Sequence, residues 1–255
     1  MKKALLVVSF GTRVAKARED ICAVENALIS AALEYDFYRA FTSPTIRRAL
    51  EKSGESVWSL EKALENLLYA DYTEILVQPT HLLYGYEYDK MKTIADHFAP
   101  YFARLAFGKP LLAGSDDLQT LADCVKTVYL PAQPDSALVL LGHGTAHFSN
   151  MVYPAMQTAL GLNNAPNAFV GTIEGWPGFD EVLAQLKAGN YRHVEIAPLM
   201  LVAGDHACND MAGEDPQSWK SRLEAAGFTV SCTMHGLGIL PDVQALYARH
   251  LREML

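Results

Sequence analysis

The stretch that decides the fold is residues 137–145, Ala-Leu-Val-Leu-Leu-Gly-His-Gly-Thr, in which an apolar run leads directly into a histidine between two glycines. A short, fully apolar run followed by glycine predicts a buried strand of a parallel sheet. Ligands of open α/β sheets bind at the carboxyl ends of such strands. His143 is therefore a candidate functional residue, and the structural alternative is a histidine that caps a loop by a hydrogen bond.

The chain repeats this pattern. Residues 4–12, Ala-Leu-Leu-Val-Val-Ser-Phe-Gly-Thr, end in the same Gly-Thr pair, and residues 64–87 match residues 183–206 without gaps. The second match is carried by the identical pairs Leu64/Leu183, Leu67/Leu186, Tyr72/Tyr191, Pro79/Pro198, Leu82/Leu201 and Gly85/Gly204. Internal similarity of this kind indicates duplicated structural units.

The two copies diverge at positions where side chains could do chemistry. Phe10 falls where His143 falls, and Glu87 falls where His206 falls. A symmetric frame that carries one asymmetric set of His, Glu and His predicts one site between the halves. Ordinary divergence of loops is the alternative explanation.

Strands and helices alternate in each half, which predicts an α/β fold of two similar lobes related by a pseudo-twofold axis, each a parallel sheet flanked by helices. The proline-containing segment 131–134 predicts a boundary between lobes of residues 1–130 and 131–255. Strands are predicted at 3–9, 36–41, 74–79, 137–141, 167–171, 193–198 and 228–232, helices at 13–33 and 88–103 among others, and an apolar stretch lies at 110–113. The loops after the first and third strands of each half should share one sheet edge.

Composition excludes several classes of function. Half of the 255 residues are hydrophobic and the net charge is −8, which argues against nucleic acid or a polybasic membrane contact as the main partner. No segment approaches about 20 apolar residues, so no membrane-spanning helix is expected. The four cysteines are scattered without a C-x-x-C pair, which is typical of a reducing compartment, and we expect a cytoplasmic protein. Whether a leader peptide preceded this sequence stays open.

Two imidazoles and a carboxylate are ligands suited to divalent first-row metals. They form no close-spaced motif such as H-E-x-x-H, so they would have to converge from three loops. The sequence has no G-x-S-x-G, G-x-G-x-x-G or P-loop motif, which argues against a hydrolase or a nucleotide-binding protein.

Several segments resemble the anaerobic cobalt chelatases, which are class II tetrapyrrole chelatases. They are residues 4–12, 140–145, 78–88 (Gln-Pro-Thr-His-Leu-Leu-Tyr-Gly-Tyr-Glu-Tyr), 174–177 (Glu-Gly-Trp-Pro) and 198–206. The resemblance covers essentially the whole chain. It implies two α/β lobes with an active site in the cleft between them, and a C-terminal helix, residues 240–255, that packs back on the first lobe. It also implies a lyase-class enzyme that inserts Co²⁺ into sirohydrochlorin with release of two protons, in anaerobic cobalamin biosynthesis.

The resemblance also implies roles for particular residues. His143 and Glu87 would be catalytic, and both would bind the metal together with His206. Apolar residues that could pack on the macrocycle, with burial in the core as the alternative, are Phe10, Leu83, Tyr84, Met200 and Val202. Arg13, directly after the first strand, is the candidate for the substrate's carboxylates, because its planar fork suits them.

Three alternatives stay open at this point. The physiological metal could be Fe²⁺ or Ni²⁺, since ligand type separates these ions poorly. The protein could be a non-catalytic carrier of metal or tetrapyrrole, which needs affinity but no proton acceptor. It could also be a bilobal small-molecule binding module, which would have no need for Glu87 opposite His206. The sequence leaves open the oligomeric state, with a homo-oligomer compatible, and whether an accessory ligand such as haem binds.

Overall fold

Strands and helices alternate along the computed structural model, which describes residues 2–255. The first part of the chain forms β1 (Lys2–Ser9), α1 (Arg18–Ala31), β2 (Asp36–Phe41), α2 (Pro44–Lys52), α3 (Leu60–Tyr69), β3 (Tyr72–Pro79), α4 (Tyr86–Phe98) and β4 (Arg104–Phe107). The rest forms α5 (Ser115–Tyr129), β5 (Ser136–Gly142), α6 (Val152–Leu162), β6 (Ala168–Thr172), α7 (Phe179–Ala188), β7 (His193–Pro198), α8 (Trp219–Ala225), β8 (Thr229–Cys232) and α9 (Pro241–Arg252).

The strands form two four-stranded parallel sheets with matching order, β2-β1-β3-β4 and β6-β5-β7-β8. The same hydrogen bond follows the two central strands of each sheet: the N–H of Thr80 donates to Val8 O at 2.9 Å, and the N–H of Leu199 donates to Leu141 O at 2.8 Å. The loops after the first and third strands therefore start side by side in both sheets. The predicted duplicated α/β architecture is confirmed.

Apolar side chains on both faces of each sheet build the cores. In the first sheet, Ala4, Leu6 and Val8 are fully buried against residues of α3 and α4. Neighbouring residues of a strand point to opposite faces, so Leu5 and Val7 are buried on the face where α1 contacts β1. In the second sheet, β5 packs in the same way against α7 and α8. Burial on both faces explains why the central strands are continuous apolar runs.

The chain divides into two compact units at other points than the sequence predicts. The first unit is the chain up to Ala113 together with Gly238–Leu255, and the second is Gly114–Leu237. The predicted boundary between residues 1–130 and 131–255 is thus wrong by the length of α5. That helix packs against α6, and Asn163, which follows α6, donates to the Asp123 carboxylate at 2.9 Å. The prolines at 131 and 134 mark only the turn between α5 and β5.

The C-terminal helix α9 packs against α1 in the first unit. Gly238 lies so close to α1 that a Cβ there would be 2.4 Å from Asp20 O. Further along, the Tyr247 hydroxyl donates to Thr80 O at 2.7 Å, which ties α9 to the loop after β3.

Two predicted elements of the first unit differ from the structure. The predicted helix 88–103 ends at Phe98, because Pro100 in the following 3₁₀ turn cannot continue its hydrogen bonds. Strand β4, which pairs with β3, follows this turn and starts at Arg104. The predicted helix 13–33 starts only at Arg18.

His81, the second residue of the loop after β3, is half-buried as a whole, but both nitrogens of its ring are buried. Neither ring nitrogen is accessible to solvent, and neither has a partner in the structure. Burial lowers the pKa of His81 to about 4, so the ring is uncharged in the folded protein at neutral pH.

This burial predicts a loss of stability in mild acid. In the unfolded chain the imidazole has a pKa near 6.5, so between pH 6.5 and 4 unfolding takes up a proton that the folded protein does not bind. The free energy of unfolding should fall by about 2 kcal/mol between pH 7 and pH 5 from this group alone. Urea unfolding at both pH values, in wild type and His81→Leu, should show a smaller acid loss in the variant. An identical acid loss in both proteins would contradict this prediction.

In residues 2–255, none of the helices has the length and apolar character needed to cross a membrane.

Candidate metal centre

His143 and His206 come into direct contact in the second unit. His143 follows β5, and His206 ends the loop after the neighbouring strand β7. Their Nε2 atoms are 3.1 Å apart, and their rings meet edge to face with centroids 4.4 Å apart. The exposed fractions of the two side chains are 42% and 46%, so a ligand can reach both. The pairing follows from the parallel register, which aligns the ends of β5 and β7.

The second nitrogen of each ring fixes where its proton lies. His143 Nδ1 is 3.0 Å from the carbonyl oxygen of Gly144, and His206 Nδ1 is 2.7 Å from the Asp210 carboxylate. Both partners can only accept a hydrogen bond, so both Nδ1 atoms donate. Each neutral ring then carries its lone pair on Nε2.

When both rings are neutral, two lone pairs therefore face one another across 3.1 Å. A neutral pair in this arrangement is repulsive, and a cation between the nitrogens removes the repulsion. Metal–imidazole bonds are about 2.0–2.1 Å, so two imidazoles on one tetrahedral ion lie roughly 3.3 Å apart. The spacing of His143 and His206 is close to that value, and the pair can bind a divalent metal ion with little movement.

Tight backbone packing positions the loop that carries His143. Gly144 has φ +83°, a conformation that side chains other than glycine rarely adopt, and a Cβ there would lie 2.4 Å from the N atom of Gly175. The N–H of Gly144 also donates to the buried Tyr153 hydroxyl at 3.2 Å. The second glycine of the Gly-His-Gly motif is thus required by both its backbone conformation and its close contact.

Asn150 joins this loop to the one after β6. Its Oδ1 accepts from the N–H of Thr145 at 3.0 Å, and its Nδ2 donates to Trp176 O at 2.7 Å. The loop it reaches also brings Glu174 close, with one carboxylate oxygen 3.9 Å from His143 Nδ1. Asn150 is not predictable from the sequence, since a single asparagine in a loop carries no pattern.

Asp210 is the other residue of this site that was not predicted from the sequence. It lies on the π-helical turn Ala207–Met211, and its spacing of four residues from His206 is the signal that could have found it. Such a spacing places two side chains on one side of a helical turn.

Glu87 lies in the first unit, in the first turn of α4. That position favours a carboxylate, because the N-terminus of a helix carries partial positive charge. Among residues 2–255, no group of three or more His, Cys, Asp or Glu side chains is arranged to hold a metal ion. The role of Glu87 stays a prediction.

The predicted substrate-binding residues lie at the same ends of the two sheets. In the first unit, Phe10 follows β1 and is 52% exposed, Arg13 is exposed, and Leu83 and Tyr84 lie on the loop before α4. In the second unit, Met200 and Val202 lie on the loop before His206 and are half-buried. Met200 also packs against the apolar core of that unit, which corresponds to the structural alternative for this residue.

Two solved structures from other proteins share this fold. SirB from Bacillus subtilis with Fe³⁺ superposes with a TM-score of 0.66 at 19% identity, covering 99% of this chain and 95% of that one. CbiX, described as the terminal enzyme of sirohaem biosynthesis in denitrifying bacteria, gives 0.60 at 15% identity, covering 99% and 100%. At these identities the likeness establishes the fold.

Comparison of sequences identifies the family as well as the fold. The chain is 36% identical over 257 residues to the sirohydrochlorin cobaltochelatase of Salmonella typhimurium, covering 100% of this chain and 97% of that protein. It is 34% identical over 256 residues to the sirohydrochlorin cobaltochelatase CbiKC of Nitratidesulfovibrio vulgaris, covering 98% and 89%. The sequence profile of the cobalt chelatase (CbiK) family matches residues 3–255. The chain therefore belongs to the cobalt chelatase (CbiK) family.

Proposed function

We propose that this protein is a sirohydrochlorin cobaltochelatase, which inserts Co²⁺ into sirohydrochlorin and releases two protons. Two curated relatives that match nearly the whole chain carry this name. The single observation in the molecule that carries the proposal is the contact between His143 Nε2 and His206 Nε2, which lie 3.1 Å apart. The product would be an intermediate of anaerobic cobalamin biosynthesis.

The reaction exchanges one dication for two protons. Co²⁺ has to lose water, two pyrrole N–H bonds have to break, and two Co–N bonds replace the protons. Imidazole nitrogens suit this task, because they bind first-row metals through exchangeable bonds. His143 and His206 hold the ion, and His143 is also the proposed proton acceptor as the ion leaves it.

Glu87 is proposed as the third metal ligand and second proton acceptor. In the internal repeat Glu87 occupies the position of His206, so the first unit has a carboxylate where the second unit has the imidazole proposed to bind the metal. Two protons leave the macrocycle in each turnover, so a second basic group near the ion has a defined task.

The apolar residues Phe10, Leu83, Tyr84, Met200 and Val202 are proposed to pack on the macrocycle. Their exposure or half-burial near the strand ends supports this role, since a flat ligand needs apolar side chains that are not consumed by the core. Arg13 is proposed to pair with a carboxylate of the substrate, because this acidic protein needs local cations to hold a polyanion.

Anaerobic metal insertion, followed by visible absorbance of the tetrapyrrole, tests the proposal. Co²⁺, Fe²⁺ and Ni²⁺ are supplied separately to the wild-type protein and to an enzyme-free control. Rates well above the control with Co²⁺ leading are expected. Faster insertion of Fe²⁺ or Ni²⁺ would support a sirohaem or nickel chelatase instead.

Rates equal to the control for all three metals would contradict a chelatase. Retained binding of metal or tetrapyrrole would then favour a carrier.

The proposed location is the cytoplasm, which the four free cysteines, Cys22, Cys124, Cys208 and Cys232, support. A homo-oligomer is compatible with the proposal, and sedimentation of the purified protein would measure its state.

A further inference from the structure

We propose that Asp210 is a positioning residue of the metal centre, which holds His206 in the tautomer that presents its Nε2 lone pair to the metal ion. The inference rests on the proposed function for the identity of that ion. It concerns a residue that touches neither the metal nor the substrate in this role and acts through His206.

The hydrogen bond on which the proposal depends is short and directional. Asp210 Oδ2 lies 2.7 Å from His206 Nδ1, within the range of charge-assisted hydrogen bonds. A free imidazole exchanges its proton between the two nitrogens, and only the form with the proton on Nδ1 leaves Nε2 able to bind a metal. A carboxylate, which only accepts, selects that form.

The local backbone explains why this carboxylate can reach the ring. His206 is the residue directly before the π-helical turn Ala207–Met211, and the N–H of Ala212 donates to Ala207 O at 3.1 Å to close it. Ala207 and Met211 are fully buried and anchor the turn in the apolar core of the second unit. Asp210 is therefore held by a fixed piece of backbone, and His206 has a defined partner.

The Nδ1 atom of His143 has a weaker hydrogen-bond acceptor than the Nδ1 atom of His206. Its Nδ1 donates to the neutral carbonyl of Gly144 at 3.0 Å, and Glu174 is farther away, at 3.9 Å. A carboxylate partner makes an imidazole more basic toward a metal than a carbonyl does, and loss of such partners typically weakens metal binding by 10–100-fold. His206 is therefore the stronger ligand of the pair, and Asp210 is the reason.

Binding of Co²⁺ to the protein without tetrapyrrole tests this role directly. The dissociation constant is measured by titration calorimetry, or from the visible absorbance of bound Co²⁺, for wild type, Asp210→Asn and Asp210→Ala. We expect Asp210→Ala to bind Co²⁺ about 10–100-fold more weakly. Asp210→Asn keeps an accepting oxygen but loses the charge, so its loss should be smaller. The KM for Co²⁺ in the insertion assay should rise in the same order.

Glu214→Gln is the matched control, because it removes one exposed carboxylate four residues further along the chain. Its Co²⁺ affinity should equal that of wild type, which separates the effect of the Nδ1 acceptor from a general loss of negative charge. Equal thermal midpoints of Asp210→Asn and Glu214→Gln would show that the fold is intact.

A second readout needs no metal. Nitrogen NMR of ¹⁵N-histidine-labelled protein, with the His206 signal assigned by His206→Gln, should show the proton on Nδ1 in wild type and a mixture of tautomers in Asp210→Ala. Equal Co²⁺ affinity and an unchanged His206 tautomer in Asp210→Ala would overturn the positioning role and leave the proposed function standing. A wild type that binds Co²⁺ through an Asp210-dependent site but inserts no metal would overturn the chelatase function and leave the role of Asp210 intact.

Discussion

Replacing His143 by alanine should lower Co²⁺ insertion into sirohydrochlorin by at least about 100-fold, close to the enzyme-free rate. The variant loses one of the two nitrogens that face each other at 3.1 Å and one proton acceptor. His206→Ala should have a similar effect, because a single imidazole cannot replace the pair. Initial rates at saturating tetrapyrrole and several Co²⁺ concentrations measure both losses.

The double variant, His143→Ala with His206→Ala, tests whether the two histidines bind the same ion. If His143 and His206 bind one ion, removing the second histidine costs little once the first is gone, and the two effects are far from additive. His193→Ala is the control, since His193 is an exposed histidine at the opposite end of β7 from the loop that carries His206. Full additivity of the two losses, or an equal loss in His193→Ala, would contradict a shared metal site.

Arg39→Met should destabilise the first unit by about 3–5 kcal/mol. Arg39 Nε donates to Glu25 Oε1 at 2.7 Å, and a second guanidinium nitrogen donates to Glu25 Oε2. The Glu25 side chain is only 3% exposed, so removing the arginine leaves a buried carboxylate without its cation. Urea unfolding of the full chain, followed by circular dichroism, measures the loss.

Two further variants isolate the cause. Lys92→Met removes the cation of an exposed pair with Asp96 on α4 and should cost less than about 1 kcal/mol. Glu25→Leu combined with Arg39→Met removes the buried carboxylate together with its half-buried cation and should recover most of the stability, since apolar residues often replace a buried ion pair without loss. A double variant as unstable as Arg39→Met would show that lost packing, and not the stranded charge, is responsible.

Most of the fold is readable from the sequence because its signals are local. The apolar runs of β1 and β5 and their flanking glycines predict the central strands within one or two residues. The contact between His143 and His206 is also predictable, since the parallel register brings the ends of β5 and β7 together once the duplication is recognised.

The features that escaped prediction depend on tertiary contacts. β4 has only four residues and starts with the charged Arg104, while the more apolar Leu111 and Leu112 bind the loop after β3 through backbone hydrogen bonds. The assignment of α5 depends on its packing against α6, which no local pattern reveals. Asp210 was not predicted because a carboxylate four residues from a histidine is common on helices. Only the observed hydrogen bond to His206 distinguishes it from other carboxylates.

Because α9 belongs to the first unit, that unit cannot be completed until the end of the chain has been synthesised. Translation completes the second unit while the first still lacks a helix, because α9 leaves the ribosome roughly 210 residues after α1. Until then α1 lacks the helix α9 against which it packs in the folded protein. The nascent first unit is thus the part of this protein most exposed to chaperones and to aggregation, and the inserted second unit is finished before it.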